Sequence, residues 1–185
     1  MEYSVKVFVK QVPKEELFDR YVKADVFAEA CKQCPFYGTM WSCPPGVPSV
    51  EEYMKEQNTA FLVGVKVSYS DALRSQGTTP EKVQEIRDHS YEKIKRNLLL
   101  TLLELEKVLP EGKCIGAGRC GLCKECTRSE GKGCRYPEMR RYSIAAFGFD
   151  CGAMMKEQLD MELIWSKDGG LPEYDVAVAA MFTRQ

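Results

Sequence analysis

Polar and apolar side chains alternate over residues 3–10, YSVKVFVK, and this period of two predicts a half-buried strand at the head of the chain. Pro13 then stands where a helix can begin, and KEELFDRYVKADVFAEA predicts one helix or two short ones ending near Cys31. Ser49, with Glu52 three residues on, matches a capping box, so a short helix is expected from about Val50 to Gln57. AFLVGVKVSY reads as a second strand, more fully buried by its composition. Thr79 and Pro80 open the longest expected helix. Its apolar positions Val83, Ile86, Ser90/Tyr91, Ile94, Leu98, Leu102, Leu105 and Val108/Leu109 recur at helical spacing until Pro110 and Gly112 close it. KCIGAG predicts a short strand. PEMRRYSIAAFGF predicts a helix that Asp150 to Leu159 continues or restarts. MELIWSKDGGLPEYDVAVAAMF predicts two strands around a Gly-Gly turn, a hairpin.

This order favours an α+β fold: a two-layer domain with helices packed on a mostly antiparallel sheet. The chain reads as a single domain over residues 1–185, with cysteine-rich metal-binding segments at 31–46 and 114–137. No repeat or low-complexity linker interrupts it, and Ser70 to Thr79 is the one expected flexible loop. The length suffices to bury a real core. MEYSVKVFVKQVPKEE has no continuous apolar run and does not read as a secretory signal. Leu98 to Leu109 is interrupted by Glu104 and Glu106 and is too short to span a bilayer. A cytoplasmic protein with no membrane association is therefore expected.

Nine cysteines change the picture. Their number is odd, and a reducing compartment disfavours structural disulfides, so clustered cysteines point to metal or redox chemistry. Residues 120–137 read CGLCKECTRSEGKGCRYP. Cys120, Cys123 and Cys126 at consecutive threes can wrap three corners of an iron–sulfur cube. A ferredoxin run would continue with three residues before the fourth cysteine, whereas here seven precede Cys134. RSEGKG carries two glycines and can loop back to bring Cys134 to the fourth iron, which gives one 4Fe-4S cluster on Cys120, Cys123, Cys126 and Cys134. Glycines 116, 118, 121, 131 and 133 let backbone N–H groups approach sulfur. Zinc is the competing occupant, although structural zinc favours two separated cysteine pairs.

Residues 31–46, CKQCPFYGTMWSCPPG, supply Cys31, Cys34 and Cys43 as a second metal site. Pro35, Pro44 and Pro45 stiffen the loop, and Phe36, Tyr37 and Trp41 offer a wall that excludes water, or else simply extend the core. Three ligands leave one position. Cys114, Cys134 or Cys151 could fill it, or the position is open to a substrate or small ligand.

The pair CKQCPFYGTMWSCPPG and GAGRCGLCKECTRSEGKGCRYPEMRRYS resembles an uncharacterised family of predicted metal-binding, cysteine-rich proteins of bacteria and archaea, over about residues 31–151. That family has only a domain-of-unknown-function label. The resemblance implies metal binding through Cys31, Cys34, Cys43, Cys120, Cys123, Cys126 and Cys134, and brings no reaction with it. Cys114 and Cys151 fall outside the family pattern, and Arg141-Tyr142-Ser143 stands where the pattern has Arg-Pro-Ser.

Net charge is −1, but residues 113–141 carry a local +5. Arg119, Arg128, Arg135, Arg140 and Arg141 either offset the charge of a thiolate-held cluster or dock an acidic redox partner protein. With a pI near 6.0 and no recognised binding motif, nucleic acid is not an expected ligand. The match of Gly116, Gly118 and Gly121 to a dinucleotide fingerprint precedes a cysteine cluster instead of a long helix and is set aside. A dithiol redox role for Cys31 and Cys34 is disfavoured because they sit at the C-terminal end of a helix. His89, the one histidine, lies in a charged stretch and reads as solvated.

Three functions remain. The first is an iron–sulfur redox or electron-transfer module with one 4Fe-4S cluster and a second cysteine metal site. The second is an enzyme using an open iron at the three-cysteine site. The third is a zinc-stabilised interaction module.

Overall fold

A computed structural model describes residues 2–166 and 169–185. The chain runs β1 (Tyr3–Pro13), α1 (Lys14–Tyr21), α2 (Ala24–Lys32), α3 (Val50–Tyr53), β2 (Thr59–Tyr69), α4 (Asp71–Arg74), α5 (Pro80–His89), α6 (Tyr91–Glu106), β3 (Lys113–Ile115), α7 (Cys151–Leu159) and β4 (Tyr174–Thr183). Two short 3-10 turns, Thr127–Glu130 and Ile144–Phe147, lie between β3 and α7. The strands form one antiparallel sheet in the order β1-β2-β4-β3. The expected α+β class is what forms. Among the described residues no helix is long and apolar enough to cross a membrane.

The central strands are covered on both faces, one layer more than the two expected, whereas the edge strand β1 leaves Val5, Val7 and Val9 exposed on the α6 side. The cause lies in β2 and β4, which are apolar at odd and even positions alike. Ala60, Leu62, Val178, Ala180 and Phe182 face a core shared with Leu17 of α1 and Met154 and Met155 of α7. Val63, Val65, Ala177, Ala179 and Met181 face Leu99, Leu102 and Leu103 of α6. Burial of apolar area on two faces holds the central strands more firmly than either layer could alone.

Three local expectations are corrected. The long helix divides at Ser90, which is fully buried, has φ −125° and ψ −88°, and donates from its hydroxyl to the Ile86 carbonyl at 2.6 Å. A continuous helix would turn the step of five from Ile86 to Tyr91 off the apolar face, and the break brings Tyr91 back to it. The expected helix over 137–149 is reduced to the Ile144–Phe147 turn, because its backbone is spent elsewhere. Ser143 N donates to Ser42 O, Gly116 N to Tyr142 O and Ile144 N to Gly116 O. The terminal hairpin does not form either. β4 pairs with β2 along its length and with β3 only at Ala180–Phe182, while Met161 and Leu163 pack into the core shared with α1 and α7 instead of pairing with the rest of that edge. Lys167 and Asp168, in the turn of that expected hairpin, lie outside the described residues.

Caps read from the sequence do form. The side chains of Ser49 and Thr79 accept from Glu52 N at 3.2 Å and Lys82 N at 3.3 Å. One contact aims α2 at the site. Gly148 has φ +80°, and a Cβ there would lie 2.4 Å from the Ala24 Cα, while its carbonyl accepts from Lys23 N at 2.8 Å. Helix α2, whose far end carries Cys31, is thus laid directly on Gly148. Gly148→Ala is expected to destabilise the protein by about 2–4 kcal/mol, from left-handed strain plus the backbone clash. A lowered urea midpoint at unchanged slope is the measurement.

Candidate metal centre

The two cysteine segments lie side by side and are stitched together by polar contacts. The 31–46 loop, with prolines at 35, 44 and 45, is held internally only by short turns such as Gly38 N to Pro44 O and Cys43 N to Met40 O, and further donors to its carbonyls come from outside it. Arg128, from the second segment, supplies them. Its guanidinium donates to Met40 O at 2.8 Å, Cys43 O at 2.7 Å and Pro45 O at 2.6 Å, and lies 4.8 Å from the centroid of the Trp41 ring. Arg140 donates to Trp41 O at 2.8 Å, and Trp41 Nε1 returns a hydrogen bond to Lys132 O at 3.1 Å. Fully buried Ser42 accepts at its hydroxyl from Cys120 N at 3.0 Å and at its carbonyl from Ser143 N at 3.0 Å. Arg141 pairs with Glu106 of α6, its Nε donating at 2.8 Å, and so ties the second segment to the helix layer.

Cys120, Cys123, Cys126 and Cys134 line one narrow cleft together with Met40 and Trp41 of the first segment. As it stands the cleft holds about 20 Å³ of free space. Burial pushes the Cys120 thiol up, and the neighbouring Cys123, Cys134 and Cys126 add to this, against a Leu122 N–H aimed at its sulfur. Arg140 also lines the cleft, and its Nε is buried with no hydrogen-bond partner among the described residues. A buried, positively charged donor with no acceptor is costly unless an anion meets it.

Cys31, Cys34 and Cys43 line a different and larger cavity, of about 560 Å³. Cys31 is the penultimate residue of α2, with its sulfur 4.0 Å from Ala145 O, and Cys43 Sγ lies 3.7 Å from the Ser42 hydroxyl. Burial pushes the Cys43 thiol up, and Cys34 and Cys31 add to it, against the Ser42 hydroxyl and the Arg128 cation. Burial raises Cys31 likewise, with Cys34 adding to it. The lining also includes Arg87 of α5, Glu92 and Lys95 of α6, Trp165 and Asp175, from elements with no cysteine, and Arg119 from the second segment.

The remaining cysteines stand elsewhere. Cys114 is fully buried in β3 among the α6 contacts, with its N–H on Glu106 Oε1 at 2.5 Å. Cys151 opens α7, and burial, with Asp150 adding, pushes its thiol up to about 12. Neither lines the cavity of the first group, and Cys134 lies with the second. Among the described residues no three His, Cys, Asp or Glu side chains converge closely enough to hold one ion. His89 is exposed in α5, as expected. Phe36 and Tyr37 do wall the first group, but Trp41 crosses to the second, while Gly118 and Arg119 of the second segment cross to the first. Nothing in the spacing of either motif signals this exchange.

Replacing Arg128 with Met is expected to destabilise the protein by about 2–3 kcal/mol, and Arg128→Lys to recover little, since one ammonium cannot reach three divergent carbonyls as a fork does. Hydrogen exchange should show lost protection concentrated in residues 37–46.

A family model described as Predicted metal-binding protein (DUF2284) matches residues 18–180. Comparison with curated proteins and with solved structures gives no match.

Proposed function

The chain belongs to that family of predicted metal-binding proteins, and from this premise we propose that it is an iron–sulfur protein with a 4Fe-4S cluster on Cys120, Cys123, Cys126 and Cys134. The observation that carries the reading is the pairing of four thiols with the orphaned Arg140 N–H around one cleft. A thiolate-ligated cluster is anionic and would give that donor its acceptor. The Leu122 N–H beside the Cys120 sulfur is the kind of contact that stabilises cluster charge. Four soft donors around a cleft, without convergence on a point, suit a cluster better than a single zinc, whose bonds to sulfur are about 2.3 Å long. The cleft must widen to enclose a cluster. Gly131 and Gly133 have open space on the side where a side chain would be, which leaves their loop room to do so.

When bound, such a cluster accepts and passes single electrons. The protein's part is to fix four thiols, exclude water with Met40, Trp41 and Tyr136, and hold a positive donor against the charge. Arg128, Arg140 and Arg141 are committed inside the fold. An acidic redox partner would therefore meet the exposed cations of this face, Lys124, Lys132 and Arg135.

A second reading, an enzyme, is favoured by the first group. Its three thiols open onto a cavity large enough for a small molecule and lined by no fourth cysteine, and so suit a metal site with one position left for a ligand.

Protein purified without oxygen should contain iron and acid-labile sulfide and show visible absorption that dithionite bleaches. Zinc without sulfide would end the iron–sulfur reading and leave the zinc-stabilised module. Cys134→Ser should remove one cluster and spare metal at Cys31, Cys34 and Cys43. Arg140→Leu, with iron content retained, should lower the reduction potential, because the reduced and more negative state loses its cation; an unchanged potential would separate Arg140 from the cluster.

A further inference from the structure

Arg119 differs from the other arginines of the basic segment. Arg128, Arg135, Arg140 and Arg141 all donate hydrogen bonds to acceptors within the chain. Among the described residues Arg119 has an ion pair with Glu92 at 3.3 Å and a place 5.3 Å from the centroid of the Phe36 ring, and no hydrogen bond. Glu92 is also the partner of Lys95, whose Nζ donates to its two oxygens at 3.1 and 3.2 Å. One carboxylate therefore serves two cations. Elsewhere in the same cavity the charges match: Arg87 donates twice to Asp175 at 2.9 Å, and the Tyr69 hydroxyl donates to Asp175 at 2.7 Å. Among the described residues, and apart from the three thiols, the cavity wall is left with one more cation than carboxylate, on side chains only 9% (Lys95) and 25% (Arg119) exposed. At that degree of burial an incoming anion is attracted far more strongly than at an open surface. The remaining walls are flat and largely apolar, built by Phe36, Tyr91 and Trp165.

We propose that this cavity binds a small organic monoanion, a carboxylate on a flat apolar body, with the carboxylate held by Arg119 and Lys95 and the body against Phe36, Tyr91 and Trp165. A single negative charge balances the excess, whereas a phosphate dianion would bury a charge without a partner. The volume of about 560 Å³ suits a molecule of this size. That the bound acid is a substrate rests on the reading of Cys31, Cys34 and Cys43 as an open metal site, since they face the same space. The anion-holding residues are separate from those thiols, so the two statements can fail separately.

The test is calorimetric titration of the anaerobically purified protein, of measured metal content, with benzoate, acetate and inorganic phosphate. Benzoate should bind saturably, and acetate and phosphate about tenfold more weakly or worse. Arg119→Gln should weaken benzoate by about tenfold or more with metal content and visible spectrum retained. Lys107→Gln, an exposed cation at the far end of α6, should change nothing. Equal affinity in wild type and Arg119→Gln, or no benzoate binding to wild type, would overturn the proposal. So would loss of metal in Arg119→Gln without any anion affinity in wild type, which would make Arg119 a counter-charge to the metal. Benzoate binding that survives Cys43→Ser, with metal content unchanged, would keep the anion site and remove the open metal position.

Discussion

One guanidinium does what a ladder of backbone hydrogen bonds does elsewhere in this protein. The loop from Cys31 to Gly46 pairs with no strand, and with itself only through short turns such as Gly38 N to Pro44 O and Cys43 N to Met40 O. Arg128 receives three of its carbonyls on a single planar fork, and Ser42 anchors the same loop to Cys120 and Ser143. Without Arg128 the Cys43 oxygen would lose its donor, and Cys43 would be held less firmly. The placement of Cys43 follows from this clamp, whereas Cys31 is carried by α2.

The sheet and its two helix layers make the clamp possible by fixing its supports. Helix α2 is set by contact with Gly148 and delivers Cys31. Helix α6 is set by Leu99, Leu102 and Leu103 against β2 and β4, and holds Glu106 under Arg141 at one end and Glu92 and Lys95 in the cavity at the other. The break at Ser90 matters for the same reason. It lets α5 and α6 each keep an apolar face on the sheet while Arg87 and Glu92, on either side of the break, both reach the cavity. Apolar packing thus supplies rigidity, and the polar stitches convert it into placement of sulfur.

The sequence displayed the regular parts well because they obey local rules. Alternation marked β1 as a strand, although its alternating Val5, Val7 and Val9 are exposed instead of buried; continuous apolar composition marked β2, and the caps at Ser49 and Thr79 were readable from single residues. The grouping of Cys120, Cys123, Cys126 and Cys134 was readable from spacing. What it hid was decided by competition between distant groups. Residues 137–149 have helical character, yet their backbone is claimed by Gly116 and Ser42; Met161 to Ser166 resembles a strand, yet Met161 and Leu163 are taken into the core beside α7. The basic run was legible as charge, but whether an arginine faces solvent, an anion or a carbonyl depends on the partner the fold brings. Arg128 and Arg140 turned out to be internal donors, and Lys95, Glu92, Arg87 and Asp175 entered the cavity from elements that carry no metal motif.

Trp41 of the first segment lines the four-thiol cleft, and Arg119 of the second lines the cavity of Cys31, Cys34 and Cys43, so the two loops exchange walls. Any event that spreads the four-thiol cleft has to push on Trp41, and through Arg128 and Arg140 on the backbone that carries Cys43. The two thiol groups therefore share their walls: part of what bounds each is carried on the chain segment that bears the other.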